Sequence, residues 1–511
     1  MVQGAVASCL PPLVRTEVVA CDIRAITDAL FVDLLRGDSY ATRRGAAYGL
    51  AGVVQGRGVC AMRDLQVLGR LEEAMADTST TRPRQGALFA LEMLASRLQV
   101  LLEPYVGGLL EHLLVCFGDT HADVREATQD AARVLMRSLS GQCLKLILPS
   151  LLAGLDEKQW RTKKGAVELL GAMAFCAPRQ LSAALPAVIP RLSEVLTDSH
   201  RQVSAAANQS LKQFGEVIHN PEIHKLVPTL LKALVDPNAK TQSALKALLH
   251  TQFVHYIDGP SLALIAPILE RGLRERNVTS QKQAAQIVGH LASLTEARDY
   301  VPYLAKYTPL VRNVLVSPVP DARSVAARAL GTLVERLGEV HFIDLVPSLL
   351  QVLQTDATGV DRHGAAQGLA EVLAGLGMER MERLLPTIIE NTQAPASYVR
   401  EGHLALLIYL PATFGSRFVP HLGKIVVPIV SSMADEHESV REASLRAGRM
   451  LIANYTQRAV DLLLPQLEPR LFDERHRVRL SALQLTADLL FRVCGISGKA
   501  EVEDETEEAA Q

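Results

Sequence analysis

A basic residue returns about every 40 positions along this chain, each time at the same place in a short pattern. An Asp precedes several of these residues by about six positions, and a Pro recurs in the segment before them. Self-similarity at such a period is typical of arrays in which each repeat packs only on its neighbours. The recurring basic residues are Arg43, Arg84, Arg125, Lys163, Arg323, Arg362, Arg400, Arg441 and Arg479, and the prolines are Pro149, Pro190, Pro228, Pro267, Pro309, Pro347, Pro386, Pro428 and Pro465.

Each repeat predicts two helices, A and B, joined by a short turn. In the repeat that ends near Ile452, the apolar residues Ile425, Ile429 and Met433 follow one another at helical spacing and share one face of helix A. The same plan predicts about twelve hairpins, which makes the chain an all-α HEAT-repeat α-solenoid. A Pro inside each helix A would bend it and give the array a superhelical curve. The predicted turns lie near residues 38, 77, 119, 156, 198, 236, 276, 318, 356, 395, 435 and 473.

The length of 511 residues exceeds one ordinary core, yet no Ser/Gly-rich or Pro-rich linker divides the sequence. A repeat array escapes that size limit, so we predict one continuous HEAT-repeat array over residues 1–494. Residues 1–9 resemble the end of a helix B without its helix A, which indicates a piece of a longer array or a shortened product. Residues 495–511 include the acidic run EVEDETEEAAQ and are predicted to form a disordered tail.

Composition restricts the classes of function. The formal net charge of −2 argues against a protein that coats nucleic acid, and we predict no binding to DNA. The seven cysteines contain no C-x-x-C pair and lie mostly among apolar neighbours, which indicates a reducing compartment. The chain starts without a secretory signal, and no charge-free apolar stretch reaches the length that crosses a bilayer. We therefore predict a cytosolic protein with no membrane association.

The recurring Asp and basic residues predict a structural ladder. The Asp in each turn can accept hydrogen bonds from the free N–H groups at the start of helix B, and the Arg on helix B can bond the Asp of the next repeat. Between about residues 198 and 320 we expect the ladder to be interrupted, because Ser204, Gln242 and Lys282 stand where the Arg would be. The ladder is assigned to Asp119 and Arg125, Asp356 and Arg362, Asp435 and Arg441, and Asp473 and Arg479.

Helix B begins with the pattern [RK]-x-G-A in several repeats, at residues 43–46, 84–87, 163–166 and 362–365. Glycine is costly inside a helix. We therefore predict that the missing side chain allows the backbone of a neighbouring helix to come close.

The sequence contains no set of residues that would support catalysis. The patterns G-x-x-x-x-G-K-[ST], H-E-x-x-H and G-x-S-x-G are all absent. His219 and His224 lie five positions apart, as do His250 and His255, but two lone histidines are weak indications of a metal. We predict no enzyme activity, no cofactor and no metal.

Clusters of basic residues lie at or near the predicted turns. Aligned on one edge of the array, they could meet the phosphate groups of a large partner with an affinity that falls as salt rises. The alternative is that they belong to the ladder and to its solvated flanks. The candidate contacts are Arg43, Arg44, Arg161, Lys163, Lys164, Arg274, Arg276, Arg475 and Arg477.

Several runs of sequence carry a family likeness. Residues 251–294, TQFVHYIDGPSLALIAPILERGLRERNVTSQKQAAQIVGHLASL, resemble the HEAT domain of fungal translation elongation factor three. Together with the further runs, they resemble the large ribosome-associated activators of the kinase that phosphorylates initiation factor two alpha during amino-acid starvation. The further runs are RRGAAYGLAG (43–52), WRTKKGAVELLGAMAFCAP (160–178), DRHGAAQGLAEVLAGLG (361–377) and YLPATFG (409–415).

The resemblance implies a ribosome-bound scaffold that promotes activation of the starvation-response kinase and so regulates translation in the integrated stress response. It places the elongation-factor-three-like part at about residues 40–340 and implies an ABC-type ATPase as a partner protein. In that family the kinase is bound by a more C-terminal stretch, so direct contact with the kinase is not expected within this chain. Nucleotide-driven action is not expected either, because the ATPase cassettes of the elongation factor are absent.

A different interaction solenoid, either a transport receptor or a tubulin-binding array, is the alternative, because fold alone does not determine function. Tubulin binders usually place exposed Trp and Lys in turns, whereas this chain has a single Trp, Trp160. Cosedimentation with ribosomes that weakens as salt rises would separate the two interpretations.

Overall fold

A computed structural model describes residues 2–15 and 20–494 of the chain. The described residues form α-helices, five short 3₁₀ segments and one isolated bridge between Ile257 and Thr295, and the predicted all-α fold is confirmed. The predicted acidic tail lies outside the described residues. The helices are Val2–Arg15 (α1), Ala20–Arg36 (α2), Tyr40–Arg57 (α3), Ala61–Asp64 (α4), Val67–Ala76 (α5), Thr81–Leu98 (α6), Glu103–Phe117 (α7), Ala122–Ser138 (α8), Gly141–Ala153 (α9), Trp160–Cys176 (α10), Pro178–Val195 (α11), Arg201–Gly215 (α12), Pro221–Val235 (α13), Pro237–His250 (α14), Gly259–Arg274 (α15), Val278–Leu294 (α16), Ala297–Leu315 (α17), Pro320–Leu337 (α18), Leu345–Leu353 (α19), Gly359–Leu376 (α20), Met378–Asn391 (α21), Ser397–Phe414 (α22), Leu422–Ser432 (α23), Glu438–Leu467 (α24) and His476–Cys494 (α25).

From α2 onward, A and B helices alternate along the chain, except that the short α4 stands between α3 and α5 and that α24 joins a B helix to the next A helix. The turns between A and B helices fall where the repeat pattern predicts. The recurring prolines lie in helix A, as Pro149 does in α9 and Pro428 in α23. The face predicted for α23 is buried through Ile425 and Ile429. The period of the apolar residues therefore determines which side of each helix joins the core.

Contacts divide the chain into two compact units, the first formed by residues 1–235 and 259–264 and the second by residues 236–258 and 265–511. A single continuous array over residues 1–494 stays a prediction. In the first unit, α3 packs on α6, α6 on α8, and α10 on α12, so that successive B helices contact each other. The helix α1 packs on α3, in the place that the helix B of a preceding repeat would take.

In the second unit, the B helices α16, α18, α20, α22 and α24 pack on one another in chain order, and α25 packs on α24. The helices α17, α19 and α23 cover them from the side of their own hairpins. The core between them is built from small and branched side chains such as Leu330, Leu369 and Leu407, which are fully buried. Such side chains allow close packing of helix on helix.

The glycines at the start of helix B allow close approach of a neighbouring backbone. A Cβ atom added to Gly86 would collide with the backbone oxygen of Leu34, and one added to Gly364 would collide with that of Leu315. The prediction is confirmed at these two positions. At Gly165 the neighbour is instead the ring of Phe117, whose Cγ would lie 2.5 Å from the added atom.

By length and composition alone, the run Thr81–Phe117 is apolar enough to cross a membrane, although it is not free of charge, since it includes Arg97 and Glu103. The structure divides the run into α6, a 3₁₀ turn and α7, with Gln99 at a φ of 49° between them. Many of its apolar side chains, including Leu91 and Leu113, are fully buried in the first unit. The run supplies core helices to this unit, and a core helix can pass the same test as a spanning one.

Candidate interaction site

The recurring basic side chain holds the turn that precedes its own helix B. One terminal nitrogen of Arg125 donates to the backbone oxygens of Asp119 and Thr120, both at 2.8 Å. These carbonyls lie ahead of the helix and need a partner outside it, which the guanidinium supplies. The same contact with two turn carbonyls is made by Arg43, Arg323, Arg400, Arg441 and Arg479.

The opposite edge of the side chain reaches the turn of the next repeat. The Nε atom of Arg84 lies 2.6 Å from Oδ2 of Asp119, and both side chains are less than a tenth exposed. Arg400 holds Asp435 with two hydrogen bonds, of 2.7 Å from Nε and 2.9 Å from Nη2. The corresponding contact joins Lys163 to Asp198, whereas Arg362 and Arg43 bond Glu401 and Gln85, which lie within helix B of the next repeat.

Hydrogen bonds keep the acidic residues of these turns ionised. Burial by itself would raise the pKa of Asp119, but the backbone N–H of His121 and the guanidinium of Arg84 lower this pKa below its ordinary value. Burial likewise opposes ionisation of Asp435, whose pKa is lowered overall by hydrogen bonds from Arg400 and the backbone of His437. Each of these turns therefore carries a fixed negative charge at neutral pH.

The carboxylates of Asp119 and Asp435 order their turns and do not cap the helices that follow. Oδ1 of Asp119 accepts from the backbone N–H of His121 at 2.8 Å, and His121 is the residue before α8. Oδ1 of Asp435 makes the same bond to His437, which precedes α24, at 2.9 Å. The expectation that Asp accepts from the first free N–H groups of helix B is therefore wrong at Asp119 and Asp435, each of which forms a local turn that is completed before the helix begins. It is confirmed at Asp236, whose carboxylate accepts from the backbone N–H of Ala239 in α14 at 3.3 Å.

The expected interruption of the ladder between residues 198 and 320 is wrong at Lys282. Its ammonium group forms an ion pair with Asp321 of the next repeat. Its neighbour Gln281 donates to the backbone oxygen of Glu275 at 2.8 Å and so takes over the turn contact. The Ser204 hydroxyl, in contrast, donates to the backbone oxygen of Arg201 in its own helix and reaches no turn among the described residues.

Asp356 stands apart from the ladder. The turn before α20 is organised by a capping box, in which the Thr358 hydroxyl accepts from the Asp361 N–H and the Asp361 carboxylate accepts from the Thr358 N–H. Asp356 is exposed. Within residues 20–494 no ion pair or hydrogen bond joins it to Arg323, the basic residue of the preceding repeat. Arg323 thus holds its own turn but has no acidic partner in the next one.

Two of the predicted partner contacts belong to the ladder itself. Arg43 is 8% exposed and is held by the turn carbonyls and by Gln85, at 2.7 Å. Burial, together with the nearby charge of Arg82, lowers the pKa of Arg43. Lys163 is held by Asp198 at 2.8 Å. The structure places both side chains between successive repeats.

Arg44 and Lys164, also predicted as contacts, are half-buried on the B helices. Arg44 bonds Glu92 at 3.0 Å and lies over the ring of Phe89, with 5.3 Å between the guanidinium carbon and the ring centre. Burial alone would lower the pKa of Arg44, but the carboxylate of Glu92 raises it overall. Lys164 lies 3.5 Å from Glu168, one turn along the same helix.

Arg161 lies over the ring of Trp160, 4.6 Å from its centre. The ring of His200 also stacks on the indole, with 3.8 Å between ring centres and an angle of 12° between the planes. Trp160 thus contacts two side chains and is not an exposed turn anchor of the kind that tubulin binders use.

The remaining predicted contacts are exposed residues of the second unit. Arg274 and Arg475 are about three-fifths exposed and bond Glu270 at 2.8 Å and Asp473 at 3.4 Å. Arg276 and Arg477 are exposed, and in the described part of the chain neither has an ion pair. Arg276 lies in the turn before α16, and Arg477 lies in the first turn of α25. These two side chains are the best placed to meet an anionic surface.

Among residues 2–15 and 20–494, no cluster of His, Cys, Asp and Glu has the geometry to hold a metal ion. The sulfhydryl groups of Cys116 and Cys143 are buried, and burial raises their pKa values to about 12 and about 11. Such thiols are poor nucleophiles at neutral pH.

A cleft across four B helices was not predicted from the sequence. It is lined by residues of α18, α20, α22 and α24, and it contains Arg323, His363 and Arg446. Arg323 and His363 were noted only as parts of the repeat pattern, and Arg446 lies on a face that the pattern leaves variable. In the sequence, the turn before α20 could have indicated the cleft, because a capping box at Thr358 replaces the Asp that orders the corresponding turns of other repeats.

Comparison with known proteins identifies the repeats. Residues 43–211 and 362–492 match the family described as EF3 N-terminal HEAT repeat, and residues 239–343 match the Elongation factor 3/GNC1 HEAT repeat. The stalled ribosome sensor GCN1 of mouse is 50% identical over 99% of this chain, and the human protein is equally similar. The eIF-2-alpha kinase activator GCN1 of Saccharomyces cerevisiae is 45% identical over 99% of the chain.

The chain spans only about a fifth of these relatives, since the match covers 19% of the mouse protein. Elongation factor 3 of Gonapodya prolifera is 31% identical over 56% of the chain and 27% of its own length. The karyopherin Kap121p bound to the SUMO protease Ulp1p aligns over 92% of the chain and 57% of its own, with 13% identity and a TM-score of 0.30. A likeness that weak carries no functional argument.

Proposed function

This chain belongs to the elongation factor 3/GCN1 family of HEAT-repeat proteins, and from that premise we propose that it is a ribosome-contacting scaffold which promotes activation of an eIF-2-alpha kinase. The observation that carries the proposal is the 50% identity over 99% of the chain to proteins named stalled ribosome sensor GCN1. The match covers 99% of the chain, so the resemblance is not confined to a part of the repeats. The proposed setting is the cytosol, on ribosomes, during amino-acid starvation.

The exposed guanidinium groups of the second unit support a contact with ribosomal RNA. Arg276 and Arg477 are exposed and have no ion pair in the described residues, so they can meet phosphates without first breaking an internal contact. Arg274 and Arg475 would have to exchange Glu270 and Asp473 for a phosphate. Arg43 and Lys163 would have to leave the ladder, which makes them the weakest of the predicted contacts.

An ABC-type ATPase partner also belongs to the proposal, on the ground of the family resemblance. The sequence contains no G-x-x-x-x-G-K-[ST] pattern, and the proposal assigns ATP hydrolysis to the partner. Copurification of such an ATPase with the chain, and its loss when ribosomes are removed, would test this part.

The proposal is tested by sedimentation of the purified chain with ribosomes over a range of salt concentrations. We expect the chain to sediment with ribosomes at low salt and to be released as salt rises. Replacing Arg276 and Arg477 together with Glu should weaken binding and reduce the slope of log affinity against log salt by about one for each Arg.

The matched control is Arg336→Glu, because Arg336 is an exposed residue in the last turn of α18, at the end opposite to the turns between A and B helices. It changes the net charge by the same amount per site and should leave binding intact. A chain absent from every ribosomal fraction would overturn the ribosome proposal. Equal effects of the two charge reversals would overturn the assignment of Arg276 and Arg477.

Kinase activation is tested separately in cells. Starved cells that lack their own activator and express this chain would be assayed for phosphorylation of initiation factor two alpha. Restored phosphorylation supports an activating scaffold, whereas ribosome binding without any phosphorylation would limit the chain to the ribosome contact.

A further inference from the structure

The stack of B helices in the first unit opens between α8 and α10. Here α6 packs on α8 and α10 packs on α12, but α8 and α10 are less closely packed on each other. A Cβ atom at Gly165 of α10 would meet the ring of Phe117, whereas Gly86, at the same place in its repeat, lies against the backbone of Leu34. The opening forms a groove of about 740 Å³, named here the α8–α10 groove.

The α8–α10 groove runs along both helices. Its lining residues recur every three or four positions and so share one face of each helix. On α8 they extend from Gln129 to Arg137, and on α10 from Glu168 to Cys176. Each stretch is about two helical turns, or roughly 12 Å, long. A groove of this form can accept the side of another helix.

The floor of the groove is apolar. Phe117, Met136 and Leu169 line it and are buried, so that each shows only an edge to the groove. Phe175, at the end of α10, is 65% exposed. An aromatic side chain in this position offers a large apolar surface that a partner can cover.

The charge of the groove is positive at one point. Arg133 pairs with Asp130 of its own helix at 3.1 Å, and Glu168, the acidic residue of the lining, lies 3.5 Å from Lys164. Arg137 is exposed, and among the described residues it has neither an ion pair nor a hydrogen bond. Arg137 therefore carries the charge of the groove that is left without a counter-ion.

Arg137 lies at the same end of the groove as Phe175 and Cys176. The charge of Arg137 acts to lower the pKa of the Cys176 thiol, but burial raises this pKa by more. The thiol is therefore neutral at neutral pH and adds no negative charge that would compete for the guanidinium. A carboxylate that enters here meets a guanidinium beside an exposed aromatic ring.

We propose that the α8–α10 groove binds an acidic amphipathic helix of a partner protein. The apolar side chains of that helix lie on the floor and against Phe175, and one of its carboxylates bonds Arg137. The apolar floor favours such a helix over a nucleic-acid backbone, which has no apolar side chains to place there. The groove belongs to the first unit and Arg276 and Arg477 to the second, so this inference does not rest on the proposed ribosome contact.

The test is fluorescence anisotropy of the full chain with a fluorescein-labelled peptide of sequence Glu-Leu-Ala-Glu-Leu-Leu-Glu-Ala-Leu-Glu-Glu-Leu. Its leucines share one face when the peptide is helical. We expect saturable binding of this peptide, and none of the same peptide with Lys in place of every Glu. Absence of saturable binding, or equal affinity for the two peptides, would overturn the proposal.

Two variants locate the contact. Arg137→Gln should weaken binding roughly tenfold or more, as expected for loss of a hydrogen bond between charged groups. The matched control is Arg201→Gln, because Arg201 is an exposed residue of α12 that lies outside the groove and has no ion pair in the described part of the chain. Equal binding by these two variants would contradict the role of Arg137.

Phe175→Ala tests the apolar part of the contact without removing a buried side chain. It should weaken peptide binding roughly tenfold. Leu146→Ala is the control, since Leu146 is 78% exposed on α9 and lies outside the groove. Binding that is unchanged in Phe175→Ala would place the peptide elsewhere on the chain and overturn the proposal.

Competition separates a peptide from RNA. Labelled peptide should be displaced by the unlabelled peptide at concentrations at which oligouridylate has no effect. Displacement by oligouridylate that is lost in Arg137→Gln would overturn the assignment in favour of an RNA backbone. Loss of ribosome binding in the Arg276 and Arg477 variant would leave the peptide result unchanged, so failure of one proposal is distinguishable from failure of the other.

Discussion

At the scale of single residues, the ladder explains why arginine recurs in this chain more often than lysine. The guanidinium of Arg400 has donors on two edges, and it serves the carbonyls of its own turn and the carboxylate of Asp435 at the same time. An ammonium group is a single point of charge. Among the described residues Lys163 accordingly bonds Asp198 but no carbonyl of its own turn, and Lys282 relies on Gln281 to hold its turn.

Arg400→Lys should therefore destabilise the protein although the charge is kept. The variant can retain Asp435 or the turn carbonyls but not both, and we expect a loss of about 1 to 3 kcal/mol. Lys163→Arg, the reverse change in an equivalent place, should be neutral or stabilising. Thermal unfolding followed by circular dichroism measures both variants. An equal loss of stability in the two would contradict the explanation that arginine bonds its own turn and the next Asp at the same time.

The ionised turn carboxylates predict how stability responds to acid. The pKa of Asp119 in the folded chain lies below its unfolded value of about 3.9, so its contribution is fully present above that pH and is lost as pH falls through the folded pKa. Asp119→Asn should cost about 3 kcal/mol at pH 7, because it leaves Arg84 buried without its counter-ion.

Unfolding of the wild type and of Asp119→Asn would be compared at pH 7 and at pH values below 4. The difference in unfolding free energy should shrink in acid. Asp130→Asn, at a mostly exposed pair with Arg133, is the control and should cost little at either pH. If the loss of unfolding free energy in Asp119→Asn were independent of pH, Asp119 would not be the ionised partner of Arg84.

At the scale of elements, close packing of B helices depends on where side chains are missing. Gly86 of α6 lies against the backbone of Leu34, and Gly364 of α20 against that of Leu315.

Two successive repeats can also be joined without a loop. In α24 the B helix of one repeat passes into the A helix of the next through a kink at Tyr455, whose hydroxyl reaches the backbone oxygens of Pro411 and Gly415, both at 2.6 Å.

Gly86→Ala should destabilise the first unit by about 1 to 3 kcal/mol, because the added methyl group forces α6 away from Leu34. Gly107→Ala is the control within the same unit, since Gly107 lies inside α7 and a Cβ there meets no atom within 4 Å. That change should stabilise by about 0.4 to 1 kcal/mol. Denaturant midpoints measure both, and a stabilised Gly86→Ala would contradict the close approach.

At the scale of the whole molecule, contacts are made between neighbours along the chain and gathered in two compact units. Stability in such an array is a sum of local and nearest-neighbour terms, so separate parts can unfold separately.

The net charge of −2 is the sum of regions with different local charge. Cations line the cleft and lie at the turns near Arg276 and Arg477, while carboxylates are buried in the ladder.

Unfolding by urea should therefore not be two-state. Trp160, the single Trp, reports on the contact of α10 with α12, whereas circular dichroism reports on all helices. We expect the midpoints of the two signals to differ. Coincident curves would contradict independent behaviour of the parts.

The sequence by itself determined the all-α repeat fold, the positions of the turns and the close approach at Gly86 and Gly364, because these follow from the period of apolar residues and from the cost of glycine in a helix. It also marked the basic residues of the ladder. The family resemblance implied a ribosome-contacting scaffold, which is the function proposed above.

Only the tertiary structure decided which basic residues are occupied and which are exposed. Arg43, Arg276 and Arg477 look alike in sequence, yet Arg43 is buried between repeats while the other two face solvent. The use of Lys282 in the ladder and the cleft at Arg323 likewise depend on partners about 40 or more positions away. A local sequence pattern shows which helix a side chain belongs to. The charges around that side chain are determined by residues that folding brings beside it.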